Sequence, residues 1–96
     1  MRTIALGSSA SAGVQASVRP FDKFVLGDEK VGVFQATFGE SGTAKLEGRL
    51  NGAAAFTEIA VIVNTDTSLA KVVALMPEMR LNITTTSGTT SGFLGV

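Results

Sequence analysis

"TAKLEGRLN", residues 43–51, alternates without a break: Ala44, Leu46, Gly48 and Leu50 fall on one side, and Thr43, Lys45, Glu47, Arg49 and Asn51 on the other. A side-chain period of two lets a chain bury the first set and wet the second only as a β-strand. Immediately upstream, "KVGVFQATF", residues 30–38, places Gly32, Phe34, Ala36 and Phe38 on one face and Val31, Val33, Gln35 and Thr37 on the other. The phenylalanine-bearing face is expected to point inward. Between the two runs, Gly39-Glu40-Ser41-Gly42 supplies glycines able to take positive φ, so the pair reads as an antiparallel hairpin with a short loop.

Further along, Asn51-Gly52 signals a turn. "FTEIAVIV", residues 56–63, reads as a strand whose second half is apolar on both faces, and "NTDTS", residues 64–68, as a polar loop. "AKVVAL", residues 70–75, is a short strand stopped near Met76-Pro77, because proline lacks the donor that a sheet ladder needs. The last nineteen residues, "EMRLNITTTSGTTSGFLGV", alternate again, turn at Ser87-Gly88 and close on "SGFLGV", so they read as a terminal hairpin. The expected core is Phe34, Phe38, Leu46, Leu50, Ile59, Ile62, Val72, Leu81 and Ile83.

The front of the chain differs. Between Arg2 and Arg19 there is no charge, and Gly, Ala and Ser dominate. Residues 1–18 are expected to form an N-terminal arm or an edge strand, and the segment from Arg19 to Lys30 a loop with Phe21 and Phe24 as anchors. "MRTIALGSSASAG" is not expected to be a secretory signal, because the apolar block Ile4-Ala5-Leu6 is shorter than the roughly 7–15 residues of such a segment. No stretch approaches the 18 or so apolar residues of a membrane-spanning helix.

Ninety-six residues suit a single domain, residues 1–96, and 45% of them are apolar while only 17% are charged. With a mean hydropathy of +0.35, this is more apolar surface than a small monomer easily hides, and copies of the chain or a larger partner are expected to cover part of it. Eight basic and eight acidic residues cancel, with no run of like charge, which argues against electrostatic capture of nucleic acid or an anionic membrane. The chain has no histidine, cysteine, tryptophan or tyrosine. Serine catalysis then has no ordinary base, and thiolate metal sites and disulfides are excluded.

The remaining chemical candidates are thin. Glu47 and Glu58 could in principle pair as glycosidase carboxylates, but as strand residues they read as solvated charges. Asn64, Asp66 and Ser68 alternate as in a calcium loop, yet the central glycine and distal glutamate are missing. No catalytic residue, metal ligand or cofactor site is therefore expected, and the chain is not expected to be an enzyme. A carbohydrate-binding or adhesion module is the alternative, weakened by the lack of Trp and Tyr platforms although one of six phenylalanines could be exposed.

The order "GTAKLEGRLNGAAAFTEIA", an apolar strand, then "LMPEMRLNITTTSGTTSGFLGV" resembles small β-sandwich proteins of tailed-bacteriophage virions, including capsid decoration (cement) proteins and related fibre modules. The matching positions are Leu46, Gly48, Arg49, Gly52, Pro77, Arg80, Asn82, Ile83 and Thr84, within residues 43–96. Many such modules carry a tryptophan near the position of Phe56. The resemblance implies a virion protein on the outer surface of a capsid, made in the host cytoplasm, a homo-oligomer, often a trimer, bound to the phage major capsid protein. The fold expected is all-β: an antiparallel sandwich of jelly-roll type with about seven to eight strands and an N-terminal arm. Contacts between subunits are expected from Ile4, Leu6, Val14, Val18, Phe21 and Phe24.

Overall fold

The structure, a computed structural model, describes residues 2–20 and 31–96. It is an all-β sandwich of eight strands: β1 (Thr3–Ser9), β2 (Gly13–Val14), β3 (Val31–Phe38), β4 (Ser41–Arg49), β5 (Thr57–Val63), β6 (Ala70–Ala74), β7 (Glu78–Ser87) and β8 (Thr90–Gly95). Two four-stranded sheets carry them, sheet A in the order β1-β8-β3-β6 and sheet B in the order β2-β7-β4-β5. The logic is that of one long hairpin rolled on itself. β4 pairs with β5, β3 with β6, β2 with β7 and β1 with β8, all antiparallel. Rolling that ribbon brings β3 against β8 and β4 against β7, which is the arrangement of a jelly roll.

The alternation read from the sequence settles the inner faces. Gly32, Phe34 and Ala36 of β3 and Gly42, Ala44, Leu46 and Gly48 of β4 are buried. Phe34, Leu46, Ile62, Met79, Leu81, Ile83 and Leu94 are fully enclosed. Phe38 and Ile59 pack against this core from partly buried positions. Two expected core residues are instead on the surface. Leu50 is 68% exposed because it follows the last residue of β4, and Val72 is 75% exposed because its neighbour Val73 takes the inward position. In "KVVA" either valine satisfies a period of two, and the pairing of β6 with β3 makes the choice.

Both expected hairpins are in fact crossings between sheets. β3 lies in sheet A and β4 in sheet B; β7 lies in sheet B and β8 in sheet A. Side-chain alternation cannot distinguish these cases, since two strands facing each other across a core and two strands side by side over it both bury every second residue. The two crossings stack on each other. Gly39 N–H donates to Thr89 C=O at 2.8 Å and Glu40 N–H to Ser87 C=O at 3.2 Å, while Ser87 Oγ donates to the Glu40 carboxylate at 2.8 Å. Gly88 turns the second crossing at φ +73°, where a side chain would be strained and would press on the backbone of residues 39 and 40. The buried hydroxyl of Thr90 is satisfied by Thr86 at 2.7 Å.

Residues 2–18 belong to the sandwich itself. β1 forms an edge of sheet A, and Ile4 and Leu6 are buried in the core of their own chain. That corrects their expected place at a contact between subunits: alternation on β1 turns both inward beside Leu94 of β8. The following segment runs along β7, through β2, a Gln15 N–H to Leu81 C=O bond of 2.8 Å and the paired Val18–Met79 bridge.

Candidate assembly surface

The outer faces of the two sheets are built from the residues that alternate with the core. On sheet B these are Thr43, Lys45, Glu47 and Arg49 of β4, Glu58, Val61 and Val63 of β5, Glu78, Arg80, Asn82 and Thr85 of β7, and Val14 of β2, so the charges sit among a few apolar neighbours. Register places Glu47 opposite Arg80 and Arg49 opposite Glu78. Arg80 Nε donates to Glu47 Oε1 at 2.8 Å, Asn82 Nδ2 to Glu47 Oε2 at 3.2 Å, and Arg49 Nη2 to Glu78 Oε2 at 2.9 Å. Lys45 and Glu58 add an exposed ion pair at 3.3 Å. Phe56 gathers the two arginines, whose guanidinium carbons lie 3.8 Å (Arg80) and 4.4 Å (Arg49) from the ring centroid, a cation–π arrangement. Arg49 Nε is buried there without a hydrogen-bond partner among the described residues.

Hydrogen bonds to Glu78 from Arg49 and then from Ser17 outweigh burial and hold its carboxyl below the usual carboxylate range, with the charges of Arg49 and Arg19 adding to the effect. Three cations, Lys45, Arg49 and Arg80, thus meet three anions, Glu47, Glu58 and Glu78, and the charge of this face is spent internally. Arg49, Arg80 and Asn82, which carry much of the resemblance, belong to this network, as does Phe56, and their visible work is to brace sheet B.

Sheet A is the opposite. Its outward residues are Thr3 and Ala5 of β1, Ser91 and Phe93 of β8, Val31, Val33, Gln35 and Thr37 of β3, and Ala70, Val72 and Ala74 of β6. None is charged. Register sets Ala5, Phe93, Gln35 and Ala70 in one row across the sheet and Val33 beside Val72 in the next. Val31 is 56% exposed and Val72 75%. The polar groups here are neutral, such as the Ser8–Ser91 hydroxyl pair at 2.6 Å.

Of the expected contact residues, Val14 is 50% exposed on β2, and Val18 is partly buried against the core. Phe21 and Phe24 lie outside the described residues. The polar loop after β5 is occupied by the chain's own donors: Asp66 Oδ2 accepts from Val63 N–H at 2.9 Å, and Asn64 Oδ1 from Gly42 N–H at 3.2 Å. Among the described residues no group of three His, Cys, Asp or Glu side chains could hold a metal ion, and no helix is long and apolar enough to cross a membrane. Sequence reasoning missed the charge-free face as a unit. Its signal was present in the outward positions of "KVGVFQATF" and "TTSGFLGV", but it becomes a surface only when register sets β8 beside β3 and β1.

No family model, no curated protein and no solved structure matches the chain.

Proposed function

We propose that this protein is a structural virion component of the capsid decoration type, binding the outer surface of a phage head and stabilising it through contacts between subunits. The observation that carries this reading is the segregation of charge: one outer face pairs its ions internally, while the other is wide, neutral and partly apolar. A neutral face can be covered without stranding unpaired charges away from water, which would cost several kcal/mol each (roughly) in a dry interface. Exposed valines and Phe93 supply apolar area to bury there. Many copies on a shell act together, so a modest contact per copy suffices.

The test is co-sedimentation with expanded, emptied heads built from a major capsid protein, which this reading expects to be encoded near this chain. Gln35→Glu together with Val33→Lys, both outward on β3, should abolish co-sedimentation while leaving the fold intact. Retention of binding by that folded variant, or failure of the wild type to bind, would overturn the proposal.

A second reading, a carbohydrate-binding or adhesion module, is favoured by one feature: Phe93 on a flat field of small and neutral residues, with Gln35 and Ala5 beside it in register. Rings on flat faces stack on sugars. Saturable retention on a glycan array, lost in Phe93→Ala, would select this reading over the first.

A further inference from the structure

Among the described residues the sandwich has four edge strands, β1 and β6 in sheet A and β2 and β5 in sheet B. An edge presents a row of main-chain N–H and C=O groups able to take up another strand, unless something blunts it. β2 is only two residues long. β1 breaks register between Ala5 and Gly7, a bulge that bends the edge after residues 3–5.

β5 is bulged opposite Leu46 and Glu47, and over its second half Asp66 and Lys71 cover all the outward main-chain groups except the N–H of Val61. Asn64 N–H donates to Gly42 C=O, so the main-chain groups of Val63 and Val61 point away from β4. Val63 N–H donates to the Asp66 carboxylate and Val63 C=O accepts from Asp66 N–H at 2.9 Å. Lys71 Nζ donates to Val61 C=O at 2.6 Å.

β6 lacks such closure over most of its length. Ala36 N–H donates to Leu69 C=O at 3.0 Å, which sets Lys71 and Val73 in bonded register with β3 and turns the main-chain groups of Ala70, Val72 and Ala74 outward. Ser68 Oγ covers both groups of Ala70, at 3.4 Å from its N and 2.9 Å from its O. Val72 and Ala74 remain open among the described residues. The strand pairs with β3 without a bulge over five residues, and it contains no proline.

We propose that β6 pairs antiparallel with β6 of a second copy, Val72 of each chain opposite Ala74 of the other, so that two sheets A become one across a two-fold axis. This register uses the two open residues of each chain and leaves the Ser68 closure of Ala70 in place. The contact is isologous, the same strand serving both partners. A closed ring of three would need a second, unlike edge to receive β6, and β1 is bent by its bulge. Pairing two short strands buries less than the roughly 1,200 Å² of a stable interface, so the dimer is weak, with a Kd between about 1 µM and 1 mM. Joined in this way, the neutral outer faces of the two copies form one continuous surface.

Sedimentation equilibrium of the full chain up to about 1 mM tests this without any shell, so its outcome is independent of capsid binding. The wild type should pass from monomer to dimer. Val72→Pro removes an outward N–H that β3 does not use, a substitution tolerated at a sheet edge, and Val72→Lys places a charge there. Both should stay monomeric throughout, with the thermal transition confirming that they are folded. In the wild type, amide exchange at Val72 and Ala74 should slow as concentration rises. A wild type that stays monomeric, a trimer, or a dimer kept by either folded variant would overturn the proposal. So would protection of Val72 that appears only when a different protein is added.

Discussion

The outer faces of sheets A and B are made by the same rule, every second residue of antiparallel strands, yet they have opposite chemistry. Sheet B carries Lys45, Glu47, Arg49, Glu58, Glu78 and Arg80, tied to one another and, through the two arginines, to Phe56. Sheet A carries Thr, Ser, Gln, Ala and Val around Phe93. A face whose charges are already paired needs nothing from outside, while a neutral face with exposed valines gains when covered. Over the described residues the sandwich is therefore polarised through its thickness, with paired charges on the outer face of one sheet and uncharged outward strand positions on the other.

The two faces depend on residues at several depths of the sandwich. Deepest is the core that both faces share: Phe34→Ala should destabilise the protein by about 3–5 kcal/mol, read as a shift in the urea midpoint, because the ring is fully enclosed. Both faces fall together in that variant. On sheet B, Glu47→Ala strips Arg80 and Asn82 of their acceptor in a partly buried setting, and the expected cost is about 1–2 kcal/mol, between the values for exposed pairs and for charged hydrogen bonds.

Glu78 gives the next contrast, in pH. Its folded-state pKa lies below the usual 4.5, so the stability it contributes is present above that value and is lost as pH falls through the folded pKa. Thermal melting of Glu78→Gln should lie below that of the wild type near neutral pH, and the two should converge as pH drops below 4.5. On sheet A the matching truncation, Gln35→Ala, should change stability by no more than about 0.5 kcal/mol, because no side-chain hydrogen bond holds it among the described residues. If Gln35→Ala proved as costly as Glu47→Ala, the contrast between the faces would be mistaken.

Most of the inner architecture was legible in the sequence. The alternation of "TAKLEGRLN" and "KVGVFQATF" identifies the buried sides of β4 and β3, and Phe34, Leu46, Ile62, Leu81 and Ile83 are core residues as expected. What alternation cannot carry is partnership. Whether residues 39–40 link neighbours or cross between sheets depends on contacts with residues 87–89, about fifty positions away along the chain. The same limit explains Ile4 and Leu6, whose surroundings in residues 1–18 show only a weak apolar pattern and whose burial depends on β8 at the far end of the chain. The ion network was legible as residue types and invisible as a network, since Glu47 and Arg80 meet only through register.

The most direct test of the account is hydroxyl-radical footprinting of the protein free and bound to expanded phage heads, at a concentration where the free protein is monomeric. Val31, Val33 and Phe93 on sheet A should be protected on binding, with Phe56 and Leu50 unchanged. Protection concentrated at Phe56 and the sheet B ions, with sheet A still reactive, would contradict it.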